Sequence, residues 1–250
     1  MFENETGWGT MEKYFEKLYL QGLYKYLEEL KEALLEGKKE FVITANPETL
    51  IIGQKNDEFD RVLKSSPTTI VPDGIGVVKA AKLLGYDVKE RVTGVELSKG
   101  LLEFANTYQK SIYLFGAKKE VIQLLIDKIR KEYPNIIIKG YESGYVSEKD
   151  EVMDKIVKCE PDIVLVALGI PQQELLIARH YAEAKKGIFI GVGGSFDVLS
   201  GTKKRAPQIF IKLNLEWLYR IVKEPKRIRR FVKSNIIFAI KIMSLRRKLK

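Results

Sequence analysis

Asp73 is the residue of this 250-residue sequence best placed for proton transfer. It lies between Pro72 and Gly74, directly after the apolar run 69–71 and before a predicted helix. A carboxylate at that point could accept a proton from a substrate hydroxyl. It could also cap the helix by accepting its first amide hydrogens, and the spacing slightly favours the cap.

Two further segments carry side chains that could bind a substrate. Thr44 and Asn46 end another apolar run and could hydrogen-bond a sugar or an amide, although Asn before Pro is equally common in turns. Arg91 lies in a predicted loop. A lone Arg is usually solvated, but its guanidinium can also bind phosphate oxygens through paired hydrogen bonds.

Glycine-containing segments follow other apolar runs and could approach a ligand through the backbone. Gly116 precedes a predicted helix, whose first amides and dipole favour an anion. Gly194 and Ser195 lie in the segment 191–201, where ligand approach and tight packing explain the glycines about equally well. The three spaced glycines of a dinucleotide-binding fingerprint are absent, which disfavours a nicotinamide-dependent oxidoreductase.

A polar segment that contains Gly169, Gln173 and Glu174 follows the apolar run 163–168. The sequence has no Cys/His cluster and no Asp-x-Asp after a predicted strand, and its one histidine, His180, lies in a helical pattern. We therefore expect neither a metal nor a cofactor. Cationic side chains and helix N-termini would then have to stabilise any diphosphate that leaves.

Alternating strand and helix patterns indicate the fold that positions these segments. The predicted strands are 41–44, 69–71, 111–115, 136–139, 163–168 and 187–192. The predicted helices are 11–36, 48–64, 75–84, 95–109, 118–132, 148–158 and 173–185. This order predicts an α/β fold with a doubly wound, mostly parallel, Rossmann-like sheet. Ligands of such folds bind at the carboxyl ends of the strands, so the polar segments should share one pocket.

The C-terminal part of the chain is strongly basic. Residues 201–250 hold 16 Lys or Arg residues and two acidic ones, a balance of +14, whereas the whole chain carries +10. Apolar residues alternate with the basic ones, which favours a membrane surface as the partner. We predict an α/β catalytic domain over 1–206 and a basic, helical, membrane-docking appendage over 207–250. A nucleic-acid-binding protein with a basic arm is the alternative.

Bulk properties narrow the location. A single Cys159 excludes an intramolecular disulfide, and the first ten residues lack the basic start and apolar run of a secretory signal. The apolar stretch Ile236–Ile240 is far shorter than the ~20 residues that span a bilayer. We therefore expect a cytoplasmic protein attached peripherally to the inner face of the cell membrane.

Residues 38–232 resemble the WecG/TagA/CpsF glycosyltransferases, which form glycosyltransferase family 26. The matching segments are Thr44-Ala-Asn-Pro-Glu48, Val71-Pro-Asp-Gly74, Glu90-Arg-Val-Thr-Gly94, Tyr113-Leu-Phe-Gly116, Val166-Ala-Leu-Gly-Ile-Pro-Gln-Gln-Glu174, Gly191–Gly201, Arg205-Ala-Pro207, Asn214–Arg220 and Glu224-Pro225. In combination and in this order they are highly specific. The short N-terminal strand that the family has is not evident, and a charged helix is predicted in its place.

The resemblance implies inverting, metal-independent transfer of an N-acetylmannosamine-type sugar from UDP. The implied acceptor is N-acetylglucosamine linked through diphosphate to a polyprenol, in the synthesis of teichoic acid or another cell-surface polysaccharide. Asp73 would be the base, Thr44 and Asn46 would lie near the sugar, Arg91 near a diphosphate and Gln173 at the nucleotide-sugar pocket.

The resemblance also implies a function for the appendage, which would dock on the anionic membrane that holds the acceptor. Its candidate residues are Trp217, Arg220, Arg227, Arg229 and Arg230. With this function the expected partners are a UDP-sugar and a lipid-linked acceptor, without nucleic acid. The polymer that receives the sugar stays open, and so does the oligomeric state, a homo-oligomer being possible.

Overall fold

A six-stranded, all-parallel sheet forms the centre of the protein. The computed structural model describes residues 7–212, 215–223 and 228–248. The sheet order is β2-β1-β6-β5-β3-β4. The strands are β1 Lys39–Ala45, β2 Thr68–Pro72, β3 Ser111–Gly116, β4 Ile137–Glu142, β5 Ile163–Ala167 and β6 Gly187–Gly191. The predicted doubly wound α/β fold is thus confirmed.

Helices cover both faces of the sheet. They are α1 Gly7–Glu16, α2 Leu23–Leu35, α3 Pro47–Gly53, α4 Asp57–Lys64, α5 Ile75–Leu83, α6 Gly94–Thr107, α7 Lys119–Glu132, α8 Lys149–Cys159, α9 Gln172–Tyr181, α10 Ser195–Leu199, α11 Gln208–Lys212, α12 Glu216–Lys223 and α13 Ile228–Lys248. Alternate residues of a strand point to opposite layers, so Phe41 and Ile43 pack into one core and Val42 into the other. Two buried layers explain why the strands are continuous apolar runs.

The N-terminal region differs from the single helix predicted over 11–36. The chain leaves α1 and forms an isolated parallel bridge between Leu18 and Ile70 of β2. The amide of Tyr19 donates to the Ile70 carbonyl at 2.8 Å. Gly22, at φ +89°, then turns the chain into α2. The prediction of one helix was wrong, because an amphipathic pattern continues across a short segment that pairs with the sheet edge.

The predicted helix over 48–64 is also two helices. Asn56 separates them, and its side chain accepts the Phe59 amide at 2.9 Å, which begins α4. Asn is among the best N-cap residues, so the break has a local cause.

The last helix, α13, has two apolar faces. Phe238, Ile242 and Leu245 are buried and belong to the core that also contains residues of α3 and α5. Their spacing of four and three residues places them on one side of the helix. Five large apolar residues of α13 are exposed, and we call them the exposed stripe: Ile228, Val232, Ile236, Ile240 and Met243.

This packing refines the description of the appendage. Phe238 lies in the apolar stretch that the sequence assigns to the membrane surface, but the protein buries it. None of the helices within 7–212, 215–223 and 228–248 combines the length and the apolar character needed to cross a membrane. The domain boundary after residue 206 stays a prediction.

We expect Leu245→Ala to lower the free energy of unfolding by about 2–5 kcal/mol, because it leaves a cavity where α13 meets the core. Ile240→Ala is the matched control, since Ile240 is 61% exposed on the same helix and its loss should cost little. Urea denaturation measures both. Equal losses for the two variants would contradict the assignment of the faces.

Candidate active site

The polar segments named from the sequence meet at one edge of the sheet. β1 pairs with β2 on one side and with β6 on the other, and β5 pairs with β6. All strands run parallel, so the loops that follow β1, β2, β5 and β6 emerge at the same edge. We call this the strand-end edge; in doubly wound folds it is where ligands bind.

Asp73 stands at this edge without being the helix cap. Its amide donates to the Ala45 carbonyl at 2.9 Å, which ties the end of β2 to the end of β1. The N-cap of α5 is Gly74. The cap hypothesis that the spacing favoured is therefore wrong, and a function in proton transfer stays a prediction. A Cβ on Gly74 would lie 3.1 Å from the Asn46 Cβ, so these two loops touch.

Asn46 forms a capping box at the start of α3. Its Oδ1 accepts the amides of Glu48 and Thr49 at 2.8 and 3.1 Å, and the Thr49 hydroxyl oxygen accepts the Asn46 amide. The structural interpretation of Asn46 is therefore confirmed for this oxygen. The side-chain nitrogen of Asn46 is the atom that we expect to contact a substrate.

Two predicted binding hydroxyls make internal hydrogen bonds. Thr44 is buried and donates to the Gly191 carbonyl at 2.9 Å, which joins β1 to β6. Ser195 donates to the Val192 carbonyl at 2.7 Å. Gly94 packs between them: a Cβ there would lie 3.2 Å from the Ser195 Oγ and 3.5 Å from the Thr44 Cγ2. Both residues belong to one cluster, while their contact with a substrate stays a prediction.

Gln173 connects the loops after β5 and β6. Its Oε1 accepts the amide of Gly169 and the amide of Gly193, each at 3.1 Å. Its Nε2 donates to the Oε1 of Glu174 at 2.7 Å. We call this set of three hydrogen bonds the Gln173 bridge.

Glu174 is fully buried beside the bridge. Among the residues that the structure describes, its Oε2 has no hydrogen-bond partner. Burial disfavours the charged form and raises the pKa of Glu174 to about 7, against the hydrogen bond from Gln173, which acts to lower it.

Arg91 is already paired within the protein. Its guanidinium donates to the Glu216 carboxylate of α12 at 3.1 Å, and both side chains are largely buried. Arg205 lies 4.0 Å from the same carboxylate and donates to Glu96 at 2.8 Å. Glu96 in turn accepts the hydroxyl of Thr93, the N-cap of α6. A cluster of two arginines and two glutamates thus joins the C-terminal segment to the strand-end edge.

The predicted glycines differ in their surroundings. Gly116 is needed for packing, because a Cβ there would lie 2.4 Å from the Ala167 carbonyl oxygen. The next amide, that of Ala117, donates to the same oxygen at 3.0 Å, so it is not available to an anion. Gly169, at φ +83°, and Gly194 are exposed at the strand-end edge.

The appendage residues are described in part. Trp217 is 38% exposed on α12. Arg227 lies outside the described residues, and Arg220, Arg229 and Arg230 lie in helices but their side chains are outside the described part.

One group of side chains has the composition of a metal site. Asp154, His180 and Glu183 bring their ligand atoms within 4.8 Å of one another. His180 lies near the end of α9, about 12 Å along that helix from its start at the strand-end edge. Its two ring nitrogens face Asp154 at 3.0 Å and Asp150 at 2.9 Å, so the His already links α8 to α9.

Comparison with known proteins assigns this arrangement to a family. Residues 17–250 match the glycosyl transferase WecG/TagA/CpsF family. The chain belongs to this family. A Bacillus subtilis relative is 43% identical over 211 residues, which are 84% of this chain and 82% of the relative. A Bacillus spizizenii relative is 43% identical over 197 residues, with coverage of 79% and 76%.

A third relative, from Staphylococcus aureus, is 38% identical over 84% of this chain and 82% of its own length. All three carry the name N-acetylglucosaminyldiphosphoundecaprenol N-acetyl-beta-D-mannosaminyltransferase. The resemblance inferred from the sequence motifs is thus confirmed.

Sequence motifs alone did not predict a function for Glu96, Arg205 or Glu216. Arg205 and Glu216 lie in segments that match the family, which was the available signal. Their pairing could not be inferred, because Arg91 and Glu216 are 125 residues apart.

We expect Glu174→Gln to gain stability relative to wild type as the pH rises. Since the folded-state pKa of about 7 exceeds the unfolded value near 4.5, folding takes up a proton between these values and wild type loses stability there as pH rises. The neutral variant does not undergo this loss. Above pH 7 its free energy of unfolding should therefore gain up to about 3 kcal/mol relative to wild type, compared with the difference at low pH. Urea denaturation across this window measures it, with exposed Glu120→Gln as control. A pH-independent difference would contradict the burial argument.

Proposed function

We propose that this protein transfers an N-acetylmannosamine-type sugar from UDP to N-acetylglucosamine linked through diphosphate to a polyprenol. The observation that carries the proposal is the shared name of three relatives that match about four fifths of the chain. The strand-end edge supports the proposal, because the Asp73 carboxylate follows β2 there and the loop that carries Arg91 bonds to the end of the same strand.

In this proposal Asp73 is the catalytic base. It accepts the proton of the acceptor hydroxyl, whose oxygen attacks the anomeric carbon of the donor. The bond from that carbon to the UDP oxygen breaks as the new bond forms, and UDP leaves with the electron pair. Attack opposite the leaving group inverts the anomeric centre. The position of Asp73 directly after β2 supports this function.

Cationic groups would stabilise the departing diphosphate without a metal. The proposal is supported by Arg91 and Arg205, which both lie within 4.0 Å of one carboxylate, that of Glu216. Donor oxygens bound close to the two guanidinium groups would gain the same attraction. Glu216 would then fix the arginines in position before the donor binds.

We infer that the exposed stripe of α13 rests on the membrane that holds the acceptor. The position of α13 supports this inference. Asn235 of α13 lies near the first turn of α5: its Oδ1 would be 3.8 Å from a Cβ on Gly76. Lys241 bonds to Gln54, which follows the far end of α3. Between Asn235 and Lys241 the helix therefore runs away from the strand-end edge.

Charge supports the same surface. The balance of +14 over residues 201–250 attracts an anionic bilayer, with about 1 kcal/mol for each basic residue near the surface. Exposed Trp217 adds an interfacial aromatic ring. The proposal places the protein at the inner face of the cell membrane. The nucleic-acid alternative gains no support from the relatives, and a homo-oligomer stays a proposal.

Asp73→Asn tests the reaction. We expect wild type to release UDP from UDP-N-acetylmannosamine in the presence of a short-chain lipid-diphosphate acceptor, and the variant to lose about 100-fold or more in kcat, because an amide cannot accept the proton. Asp87→Asn, a change in a loop outside the strand-end edge, is the control. Near wild-type turnover of Asp73→Asn at saturating substrates would reject Asp73 as the base.

Ile236→Glu with Ile240→Glu tests the membrane surface. Both side chains are exposed in the protein, so the fold should persist. On the membrane, the two new carboxylates would replace apolar contacts with lipid and would meet an anionic surface. Binding to phosphatidylglycerol vesicles should therefore weaken at least about tenfold. Leu124→Glu, exposed on α7, is the matched control. Flotation at physiological salt measures binding. Unchanged binding of the double variant would reject the exposed stripe as the docking surface.

A further inference from the structure

The Gln173 bridge depends on which way the side-chain amide of Gln173 points. Its oxygen accepts two backbone amides, from Gly169 after β5 and Gly193 after β6. Rotation of the amide by a half turn would present an NH2 group to these two N–H donors. The rotated amide would occupy the same space. Its NH2 group would then face the two backbone N–H groups, and both hydrogen bonds would be lost.

Glu174 supplies the contact that selects the orientation. Its Oε1 accepts a hydrogen bond from the Gln173 Nε2 at 2.7 Å, so the nitrogen end of the amide faces the carboxyl group. Whether protonated or ionised, the carboxyl group keeps an oxygen that can accept this N–H, which favours the observed amide orientation over the rotated one. The carboxylate and the two backbone amides therefore specify the same rotamer from opposite sides.

Gly191, at the end of β6, leaves room for this pair because it has no side chain. A Cβ on Gly191 would lie 2.6 Å from the Gln173 Nε2 and 2.9 Å from the Glu174 Oε1. The Gly191 carbonyl also accepts the hydroxyl of Thr44. The bridge is thus in contact with the end of β6 and, through it, with the end of β1.

Glu174 is a costly residue for a purely packing role. It is fully buried, and its Oε2 finds no partner among the described residues. An unpaired buried polar group destabilises a protein, and an apolar side chain of similar volume would avoid that cost. Burial also raises the pKa of Glu174, which is a further sign that the folded protein disfavours the charge.

We propose that Glu174 is a positioning residue, which holds the Gln173 amide so that the loops after β5 and β6 keep the spacing that the sugar-nucleotide donor requires. The proposal rests on the proposed function, since it assumes that the donor binds at this edge. It differs from direct substrate binding, because Glu174 is fully buried and is proposed to act through its hydrogen bond with Gln173.

A double-mutant cycle tests this dependence. The variants are Glu174→Met, Gln173→Ala and the double variant, with Glu174→Gln as the conservative replacement. We expect Glu174→Met to raise the donor KM at least about tenfold, because the Gln173 Nε2 loses its acceptor and the amide is no longer held in one orientation. In the Gln173→Ala background the same change should add little, because its partner is already gone. Glu174→Gln, whose oxygen can still accept the Nε2, should recover most of the donor affinity.

Ile177→Met is the matched control, a buried change on the same helix away from the bridge, which should alter Tm without altering KM. An unchanged KM in Glu174→Met would overturn the proposal, as would an equal effect in the Gln173→Ala background. Failure of Glu174→Gln to recover affinity would also overturn it. The UDP-induced rise in Tm provides a second readout. A wild type that binds UDP without transfer would reject the proposed function alone, and the cycle would then be read from the UDP-induced rise in Tm.

Discussion

A carboxylate held between two arginines connects the C-terminal segment to the rest of the protein. Glu216 begins α12, and it reaches Arg91 before α6 and Arg205 after α10. Charges buried to this degree are stable only when paired, and loss of one partner typically costs about 3–5 kcal/mol. The position of α12 at the strand-end edge is therefore coupled to the two guanidinium groups that the proposed reaction uses. The basic segment and the site are parts of one arrangement.

Strand patterns predicted the sheet well, because each strand is buried on both faces and so appears as an uninterrupted apolar run. The N-terminal region was harder to predict. Leu18 continues the apolar periodicity of its neighbours, yet its backbone pairs with Ile70, more than fifty residues later. Periodicity reports which face is buried, and it cannot report a backbone pairing of one residue. Asn56, in contrast, is a recognisable N-cap residue, from which the start of α4 inside the predicted helix over 48–64 could have been inferred.

The sequence predicted that the site residues meet at one edge of the sheet, but it did not predict which hydrogen bonds each side chain forms. Asp73, Asn46 and Gln173 each follow a strand, and the parallel sheet alone brings such residues together. What the spacing left undecided was the bonding of each side chain. Gly74 caps α5 in place of Asp73, and Asn46 uses its oxygen for a capping box. Long-range pairs such as that of Arg91 and Glu216 have no local pattern from which they could be inferred.

The double-sided packing of α13 has a consequence for how the protein would meet a bilayer. Since Phe238, Ile242 and Leu245 are fixed in the core, the opposite side of the helix cannot swing independently of the sheet. Attachment through that side would fix the orientation of the whole molecule relative to the membrane. A flexible tether would leave that orientation free. The height of the strand-end edge above the lipid headgroups would then be constant from one turnover to the next. A lipid-borne acceptor would only have to diffuse in two dimensions to arrive at the correct depth.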